Sequence, residues 1–210
     1  MTENQENFTF WSNREWDLIN VTDLFKHKPA IMKKAESYLE ELRAALIKEL
    51  KDNPKPFPQG TDQTKGQIAR GENHKGFPFL SLDLPQKFSK TDFFTYRTLF
   101  WWGHYLGFSL ILKGSDLKTY TDRVKKNRLE RACEDIYLSR HSSPWEWEFC
   151  EEHFSKVSEL SDAEIEKIAD RLQYLKLIRI YSVEEESFTH LNWVQVGTES
   201  FRDLIHMVME

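Results

Sequence analysis

Apolar side chains recur at helical spacing between Pro29 and Leu50. The positions in this stripe are Ile31, Ala35, Tyr38, Leu42, Ala45 or Leu46, and Leu50. Residues three, four and seven apart share one face of an α-helix, so the stripe predicts an amphipathic helix over residues 29–50. Pro29 suits the first turn, where a missing backbone N–H has no cost. Pro54 favours an end just before it, because the residue preceding proline avoids the α region.

The apolar pattern changes from helical spacing to alternation between Phe77 and Leu112. Strands are predicted over residues 77–84, 93–102 and 104–112, which are rich in aromatic and β-branched side chains. Gly103 is the expected corner of a hairpin between the last two strands. In the first and third strands, one face is apolar through Leu80, Leu82, Leu84, Leu106, Phe108, Leu110 and Leu112. We expect this face to contact the core.

Helical and strand patterns alternate in the remaining chain. Residues 117–138 and 161–175 are predicted helices, and the second begins with a capping box of Ser161 and Glu164 and a staple of Leu160 and Ile165. Strands are predicted over residues 177–183 and 191–196, and an amphipathic helix over residues 198–208. The mixture predicts an α+β fold: a single domain with a mainly antiparallel sheet packed against helices.

The N-terminal residues are aromatic, through Phe8, Phe10, Trp11 and Trp16. We predict that residues 1–28 form an arm packing on the body, with both tryptophans as anchors, and that residues 29–210 form the domain. Residues 51–76 are rich in proline and glycine and are predicted to be a long loop. Such a loop is either functional or mobile.

Length and composition describe an ordinary globular chain. The 210 residues are 40% hydrophobic and 30% charged, which suits one domain with its own core. No apolar run reaches the roughly 18 residues of a membrane span, and the polar first residues do not resemble a signal peptide. Cys133 and Cys150 lack zinc-site spacing and are predicted to be free thiols. We therefore expect a cytoplasmic protein that does not associate with membranes.

The net charge of −5 is unevenly distributed along the chain. Residues 1–60 have 9 basic and 10 acidic side chains, residues 61–140 have 14 and 9, and residues 141–210 have 6 and 15. The basic middle third could present a positive face to an anion. The favoured alternative is that it pairs internally with the acidic last third.

Sequence motifs for known catalytic chemistries are absent from the chain. It contains no GxGxxG, P-loop, HExxH or GxSxG pattern, and no two histidines four residues apart on a predicted helix. The sequence therefore predicts no cofactor and no metal site, and it identifies no catalytic residue. Whether the protein is an enzyme stays open.

The first candidate site is the polar cluster Arg70, Glu72, Asn73, His74 and Lys75. A guanidinium, an imidazole and an ammonium group close to glycines suit an anion such as phosphate or carboxylate. The alternative is a solvated loop in which Arg70 and Glu72 pair with neighbouring side chains.

The second candidate site is the hairpin with Arg97, Trp101, Trp102 and His104. Flat aromatic rings beside an arginine could stack on a base, a sugar or another ring, and His104 could act as a general base. The alternative is that Trp101 and Trp102 lie on opposite faces of the sheet and that His104 only donates or accepts hydrogen bonds.

Five basic residues lie in the predicted helix after the strands: Arg123, Lys125, Lys126, Arg128 and Arg131. They could contact nucleic-acid phosphates. Solvation of an exposed helix face is the favoured alternative, because the chain as a whole is acidic, and we disfavour nucleic acid as a partner.

The sequences Arg70-Gly71-Glu72-Asn73-His74-Lys75-Gly76-Phe77-Pro78-Phe79-Leu80, Leu82-Asp83 and Phe100-Trp101-Trp102-Gly103 resemble those of a conserved bacterial family of unknown function. The resemblance covers roughly residues 65–115. It implies no activity, and it implies only that the polar cluster and the Trp-Trp-Gly corner occur together.

Three functions are compatible with these features. The favoured one is a non-catalytic intracellular binding module for a small anionic or aromatic ligand, or for a protein partner. The second is a hydrolase or transferase acting on a phosphorylated or acidic substrate, with His74 or His104 as base and Arg70 and Lys75 as anion clamp. The third is a nucleic-acid-binding protein that uses the basic helix.

Overall fold

The computed structural model describes residues 10–209. Its helices are α1 (Asn13–Ile19), α2 (Thr22–Asp52), α3 (Leu117–Asn127), α4 (Asp162–Leu172) and α5 (Trp193–Val208). Three short 3₁₀ turns lie at Arg131–Cys133, Val157–Glu159 and Glu186–His190.

The strands of the described chain form one antiparallel sheet in the order β1-β2-β3-β4-β7-β5-β6. They are β1 (Gln67–His74), β2 (Phe77–Phe88), β3 (Phe93–Trp101), β4 (Tyr105–Lys113), β5 (Tyr137–Ser139), β6 (Phe154–Lys156) and β7 (Leu175–Ser182). Hairpins join β1 through β4 in sequence, and β7 pairs between β4 and β5. The predicted α+β class and antiparallel sheet are confirmed.

Helices α2, α3, α4 and α5 cover one face of this sheet, which we call the helix side. The predicted apolar faces of β2 and β4 lie here, and Leu80, Leu82, Leu84, Leu106, Phe108, Leu110 and Leu112 are buried. They share a core with Leu42 and Leu46 of α2 and with Phe201 and Leu204 of α5. Burial of this many aliphatic side chains is the main stabilising contribution to the fold.

The opposite face of the sheet is covered by the irregular residues 140–153, which connect β5 and β6 and which we call the strap. A second buried cluster lies under it: Leu99, Trp101, Tyr105, Trp147, Phe154 and Ile178. The Tyr105 hydroxyl donates a hydrogen bond of 2.7 Å to the Trp147 carbonyl and so attaches the strap to β4. The sheet therefore has an apolar face under the helices, rich in leucine, and a face under the strap that combines aromatic with polar residues.

Helix α2 begins earlier than predicted, at Thr22, and Pro29 lies inside it. Proline removes one backbone hydrogen bond from a helix interior. Met32, Ala35, Leu39, Leu42, Leu46 and Leu50 are nevertheless buried against the sheet and fix the helix direction. The proposed boundary between residues 28 and 29 is thus inside a helix and does not separate two units.

The prediction that the N-terminal arm packs on the body is wrong for the described residues of the arm. Helix α1 has no buried residue, and Trp11 and Trp16 are exposed. Phe8 and the rest of residues 1–9 lie outside the described residues. The sequence pattern shows that these positions are apolar but does not show what covers them.

The long loop predicted over residues 51–76 is shorter in the structure, because residues 67–74 form β1. This strand lies at the sheet edge and pairs only with β2. Edge strands tolerate charged residues and glycine, so β1 lacks the apolar alternation by which strands are recognised in sequence.

Two further predictions for the second half of the chain are wrong. The helix predicted over residues 117–138 ends at Asn127 and is followed by a 3₁₀ turn and β5. The strand predicted over residues 191–196 is the start of α5, where the Asn192 side chain accepts hydrogen bonds from the backbone of Val194 and Gln195. Its β-branched residues favoured a strand, but packing of Trp193 against Tyr38 and Phe100 stabilises the helix.

The capping box predicted at the start of α4 is confirmed. The Ser161 side chain accepts from the backbone of Glu164, and the Glu164 carboxylate accepts from the backbone of Ser161 at 2.8 Å. The cap fixes where α4 begins, and with it the position of Arg171 at the other end of the helix.

Both cysteines are free thiols, as predicted. Cys133 is buried on the helix side, and burial raises the pKa of its thiol to about 11. Within residues 10–209, no helix combines the length and apolar character needed to span a membrane.

Candidate functional site

The predicted polar cluster around His74 is mainly a tight turn. The Asn73 side chain accepts a hydrogen bond from the backbone of Gly76 at 2.9 Å, and Lys75 and Gly76 have φ of 51° and 91°. Two successive positive φ values are typical of the two-residue hairpins that suit the twist of paired strands. Lys75 and Gly76 therefore form the turn between β1 and β2, and the Asn73 side chain stabilises it, which explains Asn73 and Gly76 without a ligand.

Arg70 and Glu72 of the same cluster pair with each other and with α2. Glu72 accepts from Arg70 Nε at 3.0 Å and from Lys28 Nζ at 2.7 Å. These hydrogen bonds, first from Lys28 and then from Arg70, lower the pKa of the Glu72 carboxyl. The register pairs Arg70 with Leu80, whose side chain lies on the helix side. Arg70 thus occupies the face of the sheet opposite to the strap.

His74 and His104 lie on the strap side, packed around Trp101. The His104 ring stacks on the Trp101 ring with centroids 3.6 Å apart, and the His74 ring is 3.7 Å from that of Trp147. Burial, then the nearby charge of Lys75, lowers the pKa of His74. The Nε2 atoms of both histidines are buried without a hydrogen-bond partner. These two Nε2 atoms are therefore not open to a substrate in this arrangement.

The two neighbouring tryptophans lie on opposite faces of the sheet, as the second interpretation of the hairpin stated. Trp101 is 2% exposed in the strap-side cluster, whereas Trp102 packs against the helix-side core. The Trp101 indole donates to the His74 carbonyl at 3.3 Å. Both rings therefore contribute to packing and do not form an open stacking platform.

Arg97 forms a buried ion pair with Asp83. Its Nε and one terminal nitrogen each donate to a different oxygen of Asp83 at 2.8 Å. Thr95 donates to the same carboxylate at 2.9 Å, and the Trp145 ring of the strap covers the guanidinium at 4.8 Å. Both carboxylate oxygens of Asp83 thus accept hydrogen bonds from within the protein.

Lys176 of β7 lies beside this pair and is buried, with 3% of its surface exposed. Its ammonium nitrogen donates to the Glu146 carbonyl at 2.5 Å. Burial, and secondarily the charge of Arg97, lowers the pKa of Lys176 to about 7. Sequence patterns do not reveal this buried group, because a lone lysine in a strand is normally exposed.

Lys75 joins the β1–β2 turn to the strap by donating to Glu146 at 3.1 Å and to Glu148 at 2.7 Å. Burial opposes ionisation of Glu146, but hydrogen bonds from the Glu148 backbone, Lys75 and the Trp147 backbone lower its pKa to about 2. Glu146, Glu148 and His153 lie close enough to share a cation. Because the Lys75 ammonium already bridges both carboxylates, this group is an ion-pair cluster.

The nine predicted site residues therefore do not form one site. Arg70, Glu72 and Trp102 lie towards the helix side, whereas His74, Arg97, Trp101 and His104 are packed under or beside the strap. Five clefts stand out on the surface of residues 10–209, and none of the nine residues is in the wall of any of them.

A cleft with suitable chemistry lies where the strap begins and ends, next to the C-terminus of α4. Its volume is about 480 Å³, and its walls are Arg140, His141, Ser142, Glu152, His153, Arg171 and Leu172. A volume of roughly 300–1,000 Å³ is typical of small-ligand sites. We call it the arginine cleft.

Hydrogen bonds hold the two arginines of this cleft in place. The backbone of Arg140 donates to the His153 carbonyl at 2.7 Å, which closes the base of the strap. Arg171 donates to the Arg140 carbonyl at 3.0 Å, and the Arg140 guanidinium donates to Ser155 at 3.2 Å. The other guanidinium nitrogens keep further N–H groups with which to contact a ligand.

The arginine cleft is locally basic although the chain and its last third are acidic. Both arginines also line a second cleft of about 230 Å³, to which Lys167 of α4 contributes. Glu152 and Glu164 are the acidic residues in the walls of the two clefts. Three permanent cations with only two carboxylates favour an anionic ligand.

The two histidines of the cleft have complementary hydrogen bonds. Their ring centroids are 4.6 Å apart. His141 Nδ1 lies 3.0 Å from the Ser143 backbone nitrogen, which can only donate, and 3.3 Å from the Ser143 carbonyl oxygen, which can only accept; the shorter contact favours a neutral ring with its proton on Nε2. His153 Nδ1 lies 3.1 Å from the Glu148 carbonyl, which can only accept, so Nδ1 bears the proton and Nε2 can accept one. One Nε2 is a donor and the other an acceptor.

The sequence could not identify the arginine cleft because its residues come from three separated segments. Arg140 and His141 follow β5, His153 precedes β6 and Arg171 ends α4. Each residue is unremarkable in its local pattern. Only the pairing of β5 with β6 and with β7 brings them together.

The predicted basic helix is partly neutralised by acidic residues of the last third of the chain. Lys125 lies 3.5 Å from Glu166, and Arg128 pairs with Asp162 at 2.6 Å. Lys75 pairs with Glu146 and Glu148 in the same way. The internal pairing of a basic middle with an acidic end, favoured from the charge distribution, is present at these positions.

No family model, curated protein or solved structure matches this chain. The resemblance of residues 65–115 to a bacterial family of unknown function therefore stays a prediction. The function must be argued from the geometry of the described residues.

Proposed function

We propose that the protein is a binding module for a small anionic ligand, such as a phosphate ester or a carboxylate, which it holds in the arginine cleft. The observation that carries this proposal is the convergence of Arg140 and Arg171 on one cleft of about 480 Å³. Guanidinium groups bind phosphate and carboxylate oxygens in pairs, with charge-assisted hydrogen bonds. This keeps the class of ligand favoured by the sequence and moves the site to other residues.

Replacing one arginine of the cleft should weaken anion binding by roughly 10- to 100-fold, because a hydrogen bond to a charged group contributes about 1.5–3 kcal/mol. The measurement is isothermal titration calorimetry of wild type and Arg140→Met with inorganic phosphate, pyrophosphate and citrate. Arg140→Met with Arg171→Met should remove detectable binding. Thermal unfolding of each variant checks that the fold is retained.

The matched control is Arg131→Met, which removes the same charge from an exposed position in the 3₁₀ turn outside the cleft. It should bind all three anions as the wild type does. Equal losses in Arg131→Met and Arg140→Met would mean that only the overall charge matters. Absence of millimolar or tighter binding of any of the anions by the wild type would also overturn the proposal.

A second function, a hydrolase or transferase acting on a phosphorylated substrate, is favoured by the complementary histidines. His153 Nε2 would take the proton of an attacking water or hydroxyl as the new phosphorus–oxygen bond forms. His141, in its protonated form, would give its Nε2 proton to the leaving oxygen as the old bond breaks and become neutral, and the two arginines would stabilise the phosphoryl oxygens. This replaces His74 and His104, whose Nε2 atoms are buried.

If the site is catalytic, His153→Ala and His141→Ala should each lower kcat about 10²- to 10⁴-fold. The substrates are p-nitrophenyl phosphate and a ribodinucleotide, and the wild type should have a bell-shaped pH profile. Loss of the acidic limb of the pH profile in His153→Ala would identify His153 as the base. Loss of the basic limb in His141→Ala would identify His141 as the acid. Pyrophosphate binding without turnover of either substrate would reject catalysis and leave the binding function intact.

A further inference from the structure

The apolar stripe of α2 continues beyond the part of the helix that the body covers. Met32 is the first buried residue, and Phe25 lies seven residues, or two turns, before it on the same face. Phe25 is 68% exposed, and Leu24 beside it is also exposed. The stripe therefore has a partner from Met32 onwards and none among the described residues before it.

The exposed apolar side chains extend through residues 10–31, which comprise the described part of the N-terminal arm and the next three residues of α2. From here on, the name N-terminal arm refers to residues 10–31. Phe10, Trp11 and Trp16 are 92%, 73% and 63% exposed. The aliphatic residues Leu18, Ile19, Val21, Leu24 and Ile31 are exposed as well. Exposed large apolar side chains concentrated in one segment of a folded protein mark an interaction site.

The area of the arm matches what a stable pair of chains requires. An aromatic side chain can bury about 150–250 Å². At their exposed fractions, Phe10, Trp11, Trp16 and Phe25 offer roughly 450–750 Å² on each chain. Two arms thus contribute about 900–1,500 Å² before the aliphatic side chains are included, close to the roughly 1,200–2,000 Å² of a standard interface.

The charges of the arm and the adjoining turn of α2 are complementary to those of an antiparallel copy. Residues 10–23 contain Glu15, Asp17 and Asp23 against Arg14, a net charge of −2. Residues 24–35 contain Lys26, Lys28, Lys33 and Lys34 and no acidic residue, a net charge of +4. Lys28 already donates to Glu72, and the other three lysines are exposed.

We infer that the partner of the N-terminal arm is a second copy of this chain, paired with it antiparallel about a two-fold axis. Such an axis places the acidic residues 10–23 of each chain beside the basic residues 24–35 of the other. Both chains then make the same contacts. The apolar side chains then lie between the two arms. This interface is independent of the arginine cleft.

Sedimentation velocity of the full chain tests this inference. Over about 1–100 µM, where interfaces of this size assemble, the wild type should have twice the 25.1 kDa chain mass. Trp16→Ser with Phe25→Ser should be a monomer. Its thermal unfolding should remain cooperative, which shows that the fold is retained, because neither side chain contacts the core. Leu129→Ser, an equally exposed leucine outside the arm, should stay dimeric.

Charge variants identify the second copy as the partner. Asp17→Lys with Asp23→Lys, and separately Lys26→Glu with Lys33→Glu, should each weaken self-association by roughly tenfold, because like charges then face each other. An equimolar mixture of the two variants should restore the dimer mass. A wild type that stays monomeric at the highest concentration would overturn the inference, and so would a monomer that binds phosphatidylserine vesicles through Trp16.

Discussion

Replacement of Arg97 by methionine is expected to lower the free energy of unfolding by about 3–5 kcal/mol, because it leaves the Asp83 carboxylate buried without its cation. Asp83 is 5% exposed, and both of its oxygens accept from Arg97 at 2.8 Å. Thr95 alone cannot compensate for the lost charge. Urea unfolding at pH 7 measures the effect, which is a large fraction of the stability of an ordinary domain.

The matched control is Arg70→Met on the edge strand β1. Arg70 also pairs with an acidic residue, Glu72, but both side chains are about half exposed. Exposed pairs contribute only about 0–1 kcal/mol, so this variant should remain close to the wild type. Similar losses in both variants would mean that burial does not determine the strength of these pairs.

The double variant Arg97→Met with Asp83→Leu separates the pair from its surroundings. Removing both charges should recover most of the stability lost in Arg97→Met, since no unpaired ion is then buried. If the double variant is as unstable as the single one, the loss comes from the contact of Arg97 with Trp145 or from packing. That result would likewise give no support to the ligand-binding role that the sequence suggested for Arg97.

The helix side of the fold could be predicted from the sequence because its pattern reflects burial directly. Leu80, Leu82 and Leu84 alternate on one face, and that face is fully buried. The edge strand β1 was missed because nothing on its outer side requires apolar residues. The strand predicted at residues 191–196 was wrong because β-branched residues favour strands locally, whereas packing of Trp193 decided for a helix.

The candidate sites were harder to predict because polar residue types do not reveal their partners. Arg70 to Lys75 contain the groups of an anion site, yet Glu72 and the β1–β2 turn use most of them. The arginine cleft has the same chemistry but is assembled from three segments spread over residues 140–172. Sequence patterns identify which elements are amphipathic, and they do not identify which polar ends of those elements meet.

Replacement of Lys176 by methionine is expected to change the pH dependence of stability. Burial, and then the neighbouring charge of Arg97, lowers the pKa of Lys176 from 10.5 to about 7 in the folded protein, and Glu146 opposes this shift. Below pH 7 both the folded and unfolded states bind the proton, so folding must bury the full charge. Between pH 7 and 10.5 only the unfolded state binds it, and wild-type stability rises with pH.

The variant lacks this proton, so its advantage over the wild type should be largest at pH 6–7 and should shrink by about 1.4 kcal/mol per pH unit above pH 7. Urea unfolding of both proteins between about pH 6 and 9.5 covers most of this range. Methionine retains the contact with Phe154 but not the hydrogen bond to the Glu146 carbonyl, which shifts the whole curve without changing its slope. Lys118→Met, at an exposed position of α3, should follow the wild-type curve.

Parallel curves for the wild type and Lys176→Met would show that the buried lysine keeps its proton throughout, held by Glu146 despite the low polarity of its surroundings.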